Sequence, residues 1–153
     1  MTGVPPLDVE ARRPVWVALS EFWLDTEMSS ATAHGVVRAV LESPYSVDQA
    51  EAIHWHEVAP ALRHNVFPNL FGEWAGFDEG WLVAACAEAA ARRPPGWVRS
   101  LRARWLRRVE GGLATVVFDR ARRAEREGLP PRPTGPFVSL VVSRRPLRYR
   151  VPW

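Results

Sequence analysis

Lysine is absent from this chain of 153 residues, and all 20 of its basic side chains are arginine. Cysteine occurs once, as Cys86, which excludes an internal disulfide framework and suits a reducing cytoplasm. No apolar run approaches the roughly 20 residues that a membrane-spanning helix needs. Trp81 to Ala87 is among the longest. Thr2 to Ala11 lack the basic-then-apolar order of a secretion signal. Nucleophile-elbow, phosphate-loop and dinucleotide-binding signatures are all missing. His56-Glu57 opens like a zinc-protease motif, but Pro60 stands where the second histidine belongs. His54 and His56 are two residues apart, about 200° around an α-helix, so they cannot share a metal. His54 and Cys86 therefore read as a hydrogen-bonded core histidine and an inert buried thiol. No metal, cofactor or catalytic residue is expected, and no membrane partner.

What is present is enough for a core. Hydrophobic residues make up 47% and charged residues 24%, and a chain of this length buries sufficient apolar surface unaided. The charges are unevenly placed. Residues 1–91 hold 4 Arg against 13 Asp+Glu, a net of −9. Residues 92–153 hold 16 Arg against 4 acidic residues, a net of +12. Such asymmetry points to a binding segment or to internal complementarity.

Apolar spacing predicts an all-α fold, a compact bundle of four to six amphipathic helices. Residues 1–11 read as a loose leader, and Pro14 suits a first helical turn. A first helix is expected from about Pro14 to Leu24, burying Val15, Trp16, Leu19, Phe22 and Trp23. A second runs from about Ser30 to Leu41. Ser46-Val47-Asp48-Gln49 is a capping box and opens a third, which Pro60 should end or kink near Ala59. Trp55 falls off the apolar face of that helix. Asp78 caps a fourth, with Trp81, Leu82, Ala85, Cys86 and Ala89 on one side. Pro94-Pro95-Gly96 then marks a boundary, so residues 12–93 are expected to fold as an acidic bundle.

Residues 94–153 read as an arginine-rich extension. A fifth helix over Trp97 to Val109 would pack a stripe of Val98, Leu101, Trp105 and Val109 on the bundle, leaving Arg99, Arg104 and Arg107 free. Gly111-Gly112 would separate it from a sixth helix over Leu113 to Glu127. A Pro-rich linker follows, then a short β-hairpin or extended tail over 137–151.

Several segments resemble a family of small uncharacterised bacterial proteins, a domain of unknown function. They are Arg12-Arg13-Pro14-Val15-Trp16-Val17-Ala18-Leu19-Ser20, Phe22-Trp23-Leu24-Asp25-Thr26-Glu27 and Ser43-Pro44-Tyr45-Ser46. Glu57-Val58-Ala59-Pro60-Ala61-Leu62, Pro68-Asn69-Leu70 and Gly72-Glu73-Trp74-Ala75-Gly76-Phe77-Asp78 continue the set. The likeness covers roughly residues 12–85. It implies a small helical cytoplasmic domain and no activity.

Two functional expectations follow. The first is a non-enzymatic cytoplasmic protein-interaction module. Its acidic, aromatic surface would comprise Asp25, Glu27, Trp55, Glu73, Trp74 and Asp78, since aromatic residues dominate interface hot spots. An immunity-type protein that neutralises a basic partner is one use of such a bundle. The alternative is polyanion or nucleic-acid binding through residues 97–126, with Arg99, Arg104, Arg107, Arg122 and Arg123 on phosphates.

Overall fold

The computed structural model describes residues 6–24, 28–63, 77–92 and 94–128, with the side chains of 109–111 left aside. Six α-helices occur among the described residues: α1 Val9–Ser20, α2 Ser30–Glu42, α3 Val47–Ile53, α4 Ala59–Arg63, α5 Glu79–Ala91 and α6 Gly96–Glu127. A 3-10 turn, Glu21–Trp23, extends α1, and a π turn, His54–Val58, joins α3 to α4. The fold is all-α, and no strand occurs among the described residues. The expected hairpin over 137–151 lies outside them.

Local chemistry sets most helix starts. Asp8 accepts from Ala11 N, Ser29 from Thr32 N and Asp78 from Trp81 N. Ser46 and Gln49 form both halves of the capping box. Each cap satisfies a donor that the first turn leaves open. The first helix starts at Val9, ahead of the expected Pro14, which lies inside it. The Asp8 cap sets that start, and it brings Arg12 onto the buried face with Val15, Trp16 and Leu19.

Pro60 does not end its helix. The chain makes a π turn before it, in which Ala59 N donates to His54 O, and α4 continues to Arg63. Proline lacks the N–H and crowds the carbonyl one turn back. The wider turn absorbs both problems, as π turns do inside α-helices. It also breaks the 3.6-residue phase, so His54, Trp55, Glu57 and Val58 are all buried. Trp55, placed off the apolar face by α-helical counting, is only 1% exposed.

The fifth and sixth expected helices are one. α6 passes through Gly111-Gly112 without a break and ends at Gly128, which adopts φ 59° and takes a left-handed cap. Its buried side chains are Ala103, Leu106, Ala114, Val117, Phe118 and Ala121. Val98, Leu101 and Trp105 were expected to carry the packing. Instead Leu101 is 57% exposed and Trp105 44% exposed. A continuous helix has a single rotation about its axis. The Ala114, Val117, Phe118, Ala121 stripe sets that rotation, and Ala103 and Leu106 lie on the same line extended back at 3.6 residues per turn.

One hydrophobic cluster joins these side chains to Trp16, Leu19, Val36, Val40, Ile53, Val58 and Leu82. It therefore crosses the position of the expected boundary near residue 93. α6 packs on α2, α3 and the π turn, and α5 packs on α1, α4 and the π turn. On α5 the buried set is Leu82, Cys86 and Ala90, while Trp81 is exposed. No helix among the described residues is long and apolar enough to cross a membrane.

Candidate binding surfaces

Four features are candidates for function: a buried charge cluster, an aromatic shell, the seam between the two charge halves, and the outer side of α6.

The charge cluster joins α1 to the π turn. Arg12 Nη1 donates to Glu57 Oε1 at 3.0 Å and to Oε2 at 3.1 Å. Trp16 Nε1 donates to Glu57 Oε2 at 2.8 Å, and Arg12 Nη2 donates to Pro6 O at 3.2 Å. The Arg12 guanidinium also lies 5.2 Å from the centroid of the Tyr45 ring. Burial raises the Tyr45 pKa, against the opposing pull of Arg12. Both charged side chains are essentially shielded from water, 0% and 2% exposed. Here the segments quoted for the family resemblance meet: Arg12 and Trp16 come from one, Tyr45 from a second and Glu57 from a third. An ion pair shielded this far from water builds the fold and presents nothing to a ligand. Its sequence signal was Arg12 standing three and four residues before buried Val15 and Trp16, on one helix face.

The aromatic shell surrounds His54. Phe22, Trp55 and Phe118 lie with ring centroids 5.2, 4.6 and 5.9 Å from it. The histidine is in the core as expected, but Nδ1 has no hydrogen-bond partner there, because Glu57 turns to Arg12 and Trp16. Burial first, and the Arg107 charge second, push the His54 pKa down to about 3. Cys86 is likewise buried, and its thiol is pushed up to about 12 by burial and by Glu57. It is a poor nucleophile there. No cluster of metal-ligating side chains occurs among the described residues.

The seam between the charge halves centres on Glu51. Arg122 pairs with Glu51 and donates to Asp48 Oδ1 at 2.9 Å. Trp55 Nε1 donates to Glu51 Oε1 at 3.2 Å, and Arg107 approaches the same oxygen at 3.6 Å. Arg120 Nη2 lies 2.9 Å from His34 Nε2, and His34 Nδ1 lies 2.7 Å from Ser30 O. The tautomer that satisfies both has Nδ1–H donating and Nε2 accepting. Arg107, expected to be free, is therefore engaged with Glu51 and with the Trp55 ring face at 5.9 Å.

The outer side of α6 is different. Trp97 is 70% exposed, and with Leu101 and Trp105 it forms an apolar line at i, i+4 and i+8. Arg104 and Arg108, both exposed, lie on the same side at helical spacing. Arg63 of α4 sits 4.7 Å over the Trp105 ring.

The other expected site residues are distributed as follows. Asp25, Glu27, Glu73 and Trp74 lie outside the described residues. Asp78 is spent on capping α5. Trp55 is in the core, so it is no exposed anchor; the π turn and the α6 side chains account for that. Of the arginines named for phosphates, Arg122 and Arg107 are paired within the chain, Arg104 and Arg123 are exposed, and Arg99 is half-buried at a cavity.

A family model for a domain of unknown function, DUF7079, matches residues 10–122. The chain belongs to the DUF7079 family. The DUF7079 match runs past the expected limit near residue 85 and takes in most of α6, so the arginine-rich helix is part of the family domain. No curated protein and no solved structure is similar enough to match the chain.

Proposed function

We propose that this DUF7079 protein is a non-enzymatic interaction module of the cytoplasm, and that its contact surface is the outer side of α6 over residues 97–108. The supporting observation is the line of Trp97, Leu101 and Trp105, which is apolar and largely exposed on a helix otherwise rich in charge. Tryptophan and arginine are the residue types that most often dominate protein interfaces. Leucine at the centre of the line neither stacks on bases nor meets phosphate, which favours a protein over a nucleic acid. Arg104 and Arg108 beside it select a partner with carboxylates next to an apolar ridge, such as an acidic amphipathic helix. This reverses the charge of the partner expected from the acidic half, where Asp48, Glu51 and Glu57 are engaged internally.

The test is capture from nuclease-treated extract of the native host, with wild-type protein and a Trp97→Ala, Trp105→Ala variant side by side. The expected result is an acidic protein retained by the wild type and lost by the variant, with the variant's thermal midpoint unchanged. Retention of nucleic acid alone, in a parallel capture from untreated extract, would establish the polyanion reading instead.

A further inference from the structure

A cavity of about 420 Å³ opens between the π turn, α4, α5 and the start of α6. Its lining is small and apolar at Pro60, Ala61, Ala85, Ala89 and Pro94, with Trp55 forming part of the wall. The alanines of α5 leave the space, since a larger residue at position 85 or 89 would fill it.

The charged groups of the lining are unbalanced. Among the described residues, Arg92, Arg99 and Arg102, with His56 beside them, face one carboxylate, Glu88. Glu88 is already paired with Arg92, one turn along the same helix. Among the described residues no carboxylate pairs with Arg99 or Arg102. Both are half-buried, which is unusual for guanidinium groups without counter-charges. Burial and the neighbouring Arg63 charge hold the Arg102 pKa below its ordinary value. Around the α6 axis Arg99 and Arg102 stand about 200° and 140° from Trp97, so this site shares no side chain with the proposed contact surface.

The geometry points to a binding site for a phosphoryl group, carried by a small organic phosphate or supplied as free phosphate, held between the Arg99 and Arg102 guanidinium groups. Their planar forks suit phosphate oxygens, each able to give two parallel N–H···O bonds. A phosphoryl dianion would supply the counter-charge that the described residues of the lining lack. The volume is in the range of small-ligand sites, and Pro60, Pro94 and the α5 alanines offer an apolar rest for an organic group attached to the phosphate.

Titration calorimetry with phenyl phosphate, inorganic phosphate and benzyl alcohol, at fixed ionic strength, tests the site. The expected result is one phosphate-bearing probe bound per chain and no heat from benzyl alcohol. Tighter binding of phenyl phosphate assigns an organic phosphate; equal binding of both probes assigns free phosphate. Arg99→Gln and Arg102→Gln should each weaken binding by about tenfold or more, a loss of about 1.4 kcal/mol. Arg104→Gln, on the outer side of the helix, should leave it unchanged. Should Arg102→Gln lower the thermal midpoint, Arg102→Lys, which keeps the charge and the stem but not the fork, replaces it and should also weaken binding. Failure of both phosphates to bind, or equal affinity in folded Arg99 and Arg102 variants, would overturn the assignment.

Discussion

Arg12 meets both carboxylate oxygens of Glu57 across 45 residues of sequence, with Trp16 closing the third side. The pair is out of water, so its worth depends on both members staying. Removing one charge strands the other, at a cost of about 3–5 kcal/mol. Glu57→Gln should therefore lower stability by about that much in denaturant unfolding. Arg12→Met combined with Glu57→Leu should cost clearly less than the single change. A double variant at least as unstable as Glu57→Gln would show that the pair contributes through more than mutual compensation.

His54 makes stability fall with acid. It is neutral when folded, because its pKa is pushed down to about 3, whereas the unfolded chain takes up a proton near pH 6.5. Below pH 6.5 the unfolded state thus binds more protons, and each further unit down to about pH 3 removes up to about 1.4 kcal/mol. His54→Phe removes the group and its unpaired Nδ1 while keeping a ring against Phe22 and Phe118. The variant should lose less stability than the wild type between pH 7 and pH 5. Parallel pH profiles would exclude His54 as the source.

The helix α6 should be held by its buried line and not by its exposed one. Phe118→Ala is expected to cost about 3–5 kcal/mol and Leu106→Ala about 2–5 kcal/mol. Leu101→Ala should stay within about 0.5 kcal/mol of wild type, as surface changes usually do. A truncation after residue 93 takes away Leu106, Val117 and Phe118 from the shared core. Its thermal unfolding should be non-cooperative. A sharp transition would instead support residues 12–93 as a self-sufficient unit.

Gly112 lies in the interior of α6 with open space where a Cβ would stand. Glycine there costs backbone entropy with no packing in return. Gly112→Ala should raise stability by about 0.5–1 kcal/mol, read as a higher midpoint in thermal melts. A fall would mean that the helix needs to yield at this point.

How much of this was legible in the sequence depends on the range of the signal. Ser46 and Gln49 announced α3 because a capping box is complete within four residues. The all-α class, the apolar face of α1 and the span of α2 follow from spacing in the same way. Gly111-Gly112 misled, because glycine weakens a helix but tertiary packing on both sides of it overrides the weakness. With a break placed there, the rotation of the first half has no anchor, and the local apolar spacing points Leu101 and Trp105 inward. Trp55 was misplaced for a related reason: the π turn inserts a phase change that α-helical counting does not contain. The Arg99 and Arg102 cavity is a gap between helices distant in sequence, so no local pattern encodes it.

The unbroken run of α6 has a mechanical result. Eight residues of α-helix fix Trp97 and Trp105 about 12 Å apart along the axis, and Phe118 moors the far end in the core. Whatever meets that face finds its anchors already arranged, with little backbone left to order on contact. Association then loses less conformational freedom than a floppy arm would, and that saving appears directly as affinity.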